Sequence, residues 1–235
     1  MHRSLILIVA AATAACSALP ASAASRSYPI AGFSRLRVTG PYTVRVHTGA
    51  TASVNARGPQ ARLDKMLVEK EGDTLVISTE RNWNWGGMHW GKEDKVVVDI
   101  SVPMLTAAAL TGSGDVAIDS IRTGSFAASV AGSGELTVAA LQAGRLSASV
   151  TGSGDLTVSG RAGNADTRVT GSGDLQAAGL TVGALSATVT GSGDIAVGPT
   201  RTANARVTGS GDISIAGRPR CITKKTGSGS IRCGG

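Results

Sequence analysis

Aromatic residues make up only 3% of this 235-residue chain, although 42% of it is hydrophobic. Its interior must therefore be built from small aliphatic side chains, which suits a narrow core. Histidine is scarce as well: beyond the first residues the chain has only His47 and His89, and the surroundings of neither indicate a Ser-His-Asp or Cys-His arrangement. No segment after the N-terminus approaches the 18 apolar residues of a membrane-spanning helix.

Basic residues are in excess, with a formal net charge of +7. They are scattered, without the runs and stacking aromatic residues that a nucleic-acid surface needs, so we expect no nucleic-acid partner and interpret them as a solvated outer face. Outside the cytosol, a basic protein meets acidic polysaccharide, lipopolysaccharide or phospholipid head groups instead.

Residues 1–23 have the pattern of a secretory signal peptide. An apolar stretch from Leu5 to Ala15 is followed by the small residues Ala21-Ser22-Ala23. We expect Sec export, cleavage after Ala23, and a periplasmic, outer-membrane-associated or extracellular protein without a transmembrane segment. The alternative is a lipoprotein with a modified Cys16, although the leucine usual before such a cysteine is missing.

The tetrapeptide Gly-Ser-Gly-Asp, or a near copy, recurs seven times at intervals of 18–20 residues. The copies start at Gly112, Gly132, Gly152, Gly171, Gly191, Gly209 and Gly227. This spacing is close to one coil of a β-solenoid and too short for a propeller blade or a helical repeat. The repeat predicts an all-β protein with one coil per copy.

Each copy lies between segments of alternating polarity. Apolar Leu146, Ala148 and Val150 alternate with polar residues, which predicts a strand with one buried face. We expect both glycines of the copy to turn the chain, with positive φ. Alanines at the middle inward position fit a thin tube: Ala128, Ala148, Ala187 and Ala205.

The mature chain, 24–235, is predicted to be one domain. Residues 30–105 form irregular coils, 106–217 the regular repeats and 218–235 a capping coil. Val38 to Val44 resembles a repeat with a shorter corner and is interpreted as the first coil. Strands are expected at 42–46, 52–56, 67–70, 74–79 and 96–102, with a helical turn at 61–66.

Several segments together resemble the "head GIN" domain family of auto-transporter adhesins. They are Phe33-Ser34-Arg35-Leu36-Arg37-Val38-Thr39-Gly40, Gly72-Asp73-Thr74-Leu75-Val76-Ile77, and Val98-Asp99-Ile100-Ser101-Val102-Pro103 leading into Leu110-Thr111-Gly112-Ser113-Gly114-Asp115. The resemblance covers about residues 30 to 217. It implies a right-handed parallel β-helix and a surface or periplasmic location, and it brings no catalytic residues.

The acidic residues of the repeat form a column that includes Asp155, Asp174 and Asp194. One reading is that each carboxylate accepts hydrogen bonds from backbone amides of its own corner. The other is a cation-binding column, with calcium as the candidate cofactor. One carboxylate per coil supplies few of the six to eight oxygens that calcium needs, so we expect no cofactor unless the column recruits calcium.

All three tryptophans lie in residues 82–91, together with His89. Trp83, Trp85 and Trp90 are either a plug over an open end or edge of the solenoid, or an exposed surface on which sugar rings stack. We expect this Trp segment (residues 82–91) to contact an envelope or host glycan, or another surface component.

Two cysteines flank the last repeat. Cys221 and Cys233 fall at inward positions of the same coil, so in an oxidising compartment we expect a disulfide between them.

The sequence therefore favours a non-catalytic binding or adhesion module. One alternative is a structural envelope protein that self-associates as a homo-oligomer. The other is a polysaccharide-active β-helix enzyme, which would need a groove with at least two carboxylates outside the repeat.

Overall fold

The computed structural model describes residues 24–80 and 95–234. Within them the chain forms eighteen strands and one short helix. These are β1 Ala24–Tyr28, β2 Arg35–Thr39, β3 Thr43–Thr48, β4 Ser53–Gly58, α1 Gln60–Leu63, β5 Met66–Glu71, β6 Thr74–Thr79, β7 Val97–Val102, β8 Ala107–Gly112, β9 Asp115–Gly132, β10 Glu135–Gly152, β11 Asp155–Gly171, β12 Leu175–Ala177, β13 Leu180–Gly191, β14 Ile195–Val197, β15 Thr200–Gly209, β16 Ile213–Ile215, β17 Arg220–Thr226 and β18 Ile231–Cys233.

The predicted β-solenoid is confirmed, with about six turns. Strands of successive coils pair in parallel, and the repeat stays in register: Gly132 pairs with Gly112 on one side and Gly152 on the other. Because every coil leaves its strand edges open, each depends on its neighbours for backbone hydrogen bonds and for burial of apolar surface.

Each coil has three sides, because inward and outward residues alternate along it except at three corners. In β9 the alternation breaks after Ile118 and again around Gly124, and the third break is the Gly-Ser-Gly corner that follows at Gly132. We call the side that precedes the Gly-Ser-Gly corner side A, the one that follows it side B, and the short remaining one side C.

The interior is narrow and almost wholly aliphatic. The four predicted inward alanines are buried, and Phe126 is the largest of the fully buried side chains. Thr167 stands where neighbouring coils have alanine, and its hydroxyl donates to the Ser186 carbonyl at 3.3 Å. Burying each inward Val, Leu or Ile side chain between neighbouring coils contributes about 1.5–3 kcal/mol to the free energy of folding, so stacking of the coils supplies most of the stability.

The two glycines of a corner are needed for different reasons. Gly152 has a φ of +107°, and a Cβ built on it would lie 2.7 Å from the Gly132 carbonyl oxygen. Gly154 does not have a positive φ, which corrects the prediction that both glycines would. Its restriction is the close approach of the preceding coil, since a Cβ on it would lie 2.5 Å from the Gly134 oxygen.

The N-terminal coils stack in an order that differs from their order in the chain. β2 pairs with β8 and β3 with β9, as expected for a coil built around Gly40, but β6 and β7 then pair with the other edges of β2 and β3. The coil formed by β2 and β3, which was expected to be the first, therefore lies between the coil of β6 and β7 and the coil of β8 and β9. Beyond them, β5 pairs antiparallel with β6, β4 pairs antiparallel with β7, and β1 pairs antiparallel with β4. These three strands cover the N-terminal end of the solenoid.

The helical turn predicted at 61–66 is confirmed only in part, because α1 spans Gln60–Leu63 and Met66 already begins β5. Leu63 is buried and fixes the turn against the core. Across the part of the chain that the structure describes, no helix is long and apolar enough to cross a membrane.

At the C-terminal end, Cys221 and Cys233 form the predicted disulfide, with their Cα atoms 6.6 Å apart. Cys221 pairs with Ala203 and Cys233 with Ile215, so both occupy inward positions of the last coil. Lys225 takes the place of Val207 in this coil. The disulfide joins two sides of a coil that has lost an apolar contact and is the last of the described coils.

Candidate functional site

The Trp segment joins two strands at a corner of the solenoid. Its residues Trp83, Trp85, His89 and Trp90 lie outside the described residues, but both flanks are described. β6 ends at Thr79 and β7 begins at Val97, whereas in the adjacent coil only residues 40–42 separate β2 from β3. Because β6 pairs with β2 and β7 with β3, the connection at 80–96 bridges the place of the Gly-Ser-Gly corner.

The first flank is fixed by a buried tyrosine. The Tyr42 hydroxyl lies 2.5 Å from the Thr79 hydroxyl and donates to the Ser78 carbonyl at 3.2 Å. Burial raises the pKa of Tyr42, so the phenol stays neutral at physiological pH. Next to it, Lys65 and Glu80 form an ion pair at 3.0 Å, and the Glu80 amide donates to the Lys65 carbonyl.

The second flank is fixed by the core and by the repeat. Val96 is buried, and its carbonyl accepts a hydrogen bond from the Thr43 amide at 3.1 Å. Lys95 Nζ lies 3.7 Å from Asp115 Oδ2, the first acid of the repeat column. The described chain on either side of residues 81–94 is therefore held by hydrogen bonds, packing and ion pairs.

The repeat acids form a ladder between coils. Oδ1 of Asp155 accepts from the amide of Asp174 at 3.2 Å, and Oδ1 of Asp174 accepts from the amide of Asp194 at 2.9 Å. The series continues through Asp212 to the amide of Ser230. The expectation that each carboxylate bonds within its own corner is therefore wrong. Stacking places each carboxylate beside the backbone amide of the aligned residue in the next coil.

One oxygen of each of these carboxylates is thus used within the protein. Within residues 24–80 and 95–234, no group of three or more His, Cys, Asp or Glu residues is placed to hold a metal ion. The candidate metal ligands Asp155, Asp174 and Asp194 are spread along the rod, one per coil, and calcium binding there stays a prediction.

The described histidine belongs to a small surface cluster. His47 Nδ1 lies 3.2 Å from Asp119 Oδ2, and the other oxygen of that carboxylate accepts from the Thr48 amide at 3.1 Å. The His47 side chain is 58% exposed. The carboxylate joins two neighbouring coils, and beside it the Thr48 hydroxyl donates to the Ser120 carbonyl at 2.6 Å.

Sequence reasoning missed a row of basic side chains. The basic residues are not all scattered. Arg122, Arg161, Arg201 and Arg220 line one continuous groove that runs over side C and the corner between side C and side A. The signal that could have found them is their position beside a second glycine column, one per coil, at Gly124, Gly144, Gly163 and Gly183.

Comparison with solved structures gives the same fold. A putative adhesin from Bacteroides fragilis NCTC 9343 superposes with a TM-score of 0.80 at 23% identity, covering 90% of this chain and 96% of the other. A putative lipid binding protein from Parabacteroides distasonis ATCC 8503 gives 0.70 at 22% identity, with the same coverage. A putative adhesin from Parabacteroides merdae ATCC 43184 gives 0.68 at 16%, covering 90% and 95%.

No curated protein is significantly similar to the chain. Residues 32–219 match the profile of one family, described as "Putative auto-transporter adhesin, head GIN domain". That range holds six of the seven glycine corners, the N-terminal strands from β2 onward and both described flanks of the Trp segment. The chain belongs to the head GIN domain family of putative auto-transporter adhesins.

Proposed function

We propose that the protein is a non-catalytic binding module of the bacterial envelope that contacts a glycan through its Trp segment. Family membership supports an adhesin-like envelope role. The contact residues in this proposal are Trp83, Trp85, His89 and Trp90, whose rings would stack on sugar faces while the imidazole bonds to hydroxyls.

The observation that carries the proposal is where the segment is inserted. Regular coils turn in two or three residues at the Gly-Ser-Gly corner, but between β6 and β7 the chain runs from 80 to 96. All three tryptophans of the chain lie in this one insertion. A loop with both ends fixed on a rigid scaffold is a common way to present binding residues.

The proposal includes export of the protein from the cytosol. The signal peptide at 1–23 would deliver the protein to the periplasm or the cell surface, where an envelope or host glycan is available as a partner. The binding is stoichiometric and needs no cofactor. Self-association of rods into a homo-oligomer would add avidity and is compatible with the same contact.

The test is a glycan array probed with the secreted protein and with a Trp83→Ala/Trp85→Ala/Trp90→Ala variant. We expect the parent to bind a defined set of glycans and the variant to lose at least about tenfold in affinity, since each stacked ring contributes about 1 kcal/mol or more. Ile222→Ala is the matched control, because Ile222 is 72% exposed and lies at the other end.

Unfolding of the triple variant, combined with no glycan bound by the parent, would favour a plug and contradict the proposal. Equal loss in the Ile222→Ala control would show that any exposed apolar side chain suffices. Binding of the parent to neutral phospholipid vesicles but to no glycan would point to a lipid ligand and also contradict it.

A further inference from the structure

A groove runs along side C, away from the Gly-Ser-Gly corner. Three adjoining cavities of about 400–450 Å³ form it, and consecutive cavities share Arg161 and then Arg201. Arg122 lies at its N-terminal end and Arg220 at its C-terminal end. No acidic residue lines any of the three cavities.

The floor of the groove is backbone, because its corner column is glycine. A Cβ on Gly163 would lie 2.7 Å from the Gly144 oxygen, so the close stacking leaves no room for a side chain at that coil. Arg201 takes the position that aligns with Gly183, and its Nη2 lies 3.1 Å from where a Cβ of Gly183 would be. Its guanidinium therefore lies over the bare glycine of the preceding coil.

These arginines are not neutralised within the described protein. The ion pairs found in residues 24–80 and 95–234 all join residues between Arg26 and Asp119. Asp119, the acid nearest to Arg122 in sequence, pairs with His47. The repeat acids accept hydrogen bonds from amides of the stacked Gly-Ser-Gly corners, away from these arginines.

The arginines are spread along the rod axis but do not share one register column. Arg122 and Arg161 align two coils apart, whereas Arg201, two coils further, and Arg220, one coil beyond it, stand two and three residues further along their coils. With about 4.8 Å between strands, the four arginines cover roughly 24 Å along the axis. Each guanidinium can bind a carboxylate with two parallel hydrogen bonds.

We propose that this groove binds a linear acidic polysaccharide whose carboxylates pair with Arg122, Arg161, Arg201 and Arg220. Amide and hydroxyl side chains between the arginines, on Gln142, Asn164, Thr181 and Thr202, bond to sugar hydroxyls. A linear polyanion can follow charges that are spread over six consecutive coils of the rod. The lining contains no aromatic residue on which nucleic-acid bases would stack, and a membrane surface would meet a plane rather than a groove.

The site is separate from the Trp segment, and its test is independent. Binding of polygalacturonate oligosaccharides is measured by isothermal titration at low salt for the parent and for Arg161→Ala/Arg201→Ala. We expect about a hundredfold loss in the double variant, about tenfold for each charge-assisted pair, and weakening of the parent with added salt.

The matched control is Arg168→Ala/Arg206→Ala. These two arginines are equally exposed and stand in one outward column of side A, so the control removes the same charge away from the groove. We expect it to weaken binding by less than about threefold, and the triple Trp→Ala variant to bind polygalacturonate like the parent.

Equal weakening by the two double variants would overturn the proposal in favour of unspecific attraction by net charge. So would tighter binding of single-stranded oligothymidine or of anionic phospholipid vesicles than of polygalacturonate. Failure of the parent to bind polygalacturonate would also overturn it, whatever the glycan array shows for the Trp segment.

Discussion

Replacing Gly154 by alanine would place one methyl group between two coils. The added Cβ would lie 2.5 Å from the Gly134 carbonyl oxygen and 2.8 Å from Val130 Cγ1. Both neighbours are held: Gly134 is backbone whose carbonyl accepts from the Asp155 amide at 3.0 Å, and Val130 is buried. Neither can rotate away, so the coils must separate locally.

The expected loss of stability is about 1–3 kcal/mol, the range for inserting an extra methyl group into a packed interior. A domain of this size loses about 2–4 °C in Tm for each kcal/mol, so we expect the Tm to fall by about 2–12 °C. Because the coil is in the middle of the stack, the backbone hydrogen bonds on both sides of it weaken together.

The assay is thermal unfolding followed by circular dichroism, with Gly124→Ala as the matched control. Gly124 has no atom within 4 Å of an added Cβ and does not have a positive φ. We expect this control to match the parent or to be stabilised by about 0.4–1 kcal/mol, because alanine restricts the unfolded chain. Equal Tm values for Gly154→Ala and Gly124→Ala would refute the close stacking of corners.

Two further predictions concern the last coil. Reducing or mutating the Cys221–Cys233 pair should cost about 3 kcal/mol for a loop of this length, measured by urea unfolding, and two free thiols titrated in the unreduced protein would contradict the pairing. The Ser230 amide lowers the pKa of Asp212, so this carboxylate stabilises the coil above the unfolded pKa of about 3.9 and stops doing so as the pH falls through the lower folded value. The protection factor of the Ser230 amide against hydrogen exchange, taken relative to its intrinsic rate at each pH, should therefore fall in acid in the parent and be low at every pH in Asp212→Ala, whereas an unchanged protection factor in the variant would contradict the ladder.

The coil repeat could be read from the sequence because each copy carries its own evidence. Inward aliphatic residues and a glycine pair recur every 18–20 residues, and one register satisfies all of them, which placed Cys221 and Cys233 correctly in one coil. The order of the N-terminal coils could not be read this way. Whether β6 lies outside β2 depends on which strand edges remain open after folding, and no local pattern records this.

The Asp ladder and the arginine groove were missed for a related reason. The partner of Asp155 is the amide of Asp174, nineteen residues away, and local turn chemistry favours a partner nearby. Arg122 and Arg201 are far apart along the chain but line the same groove once the coils are stacked. For the Trp segment, the clustering of the tryptophans can be read from the sequence. The described flanks add the corner of the solenoid at which β6 ends and β7 begins.

Tryptophan fluorescence tests the central claim most directly, because all three tryptophans lie in the Trp segment and the signal comes from nowhere else. The purified protein is titrated with the best glycan from the array while the emission maximum and quenching by acrylamide are followed. The account predicts an emission maximum typical of wet indole that is readily quenched, and a blue shift with protection from acrylamide on saturation. Emission that is already blue-shifted and protected, and that no glycan changes, would contradict it.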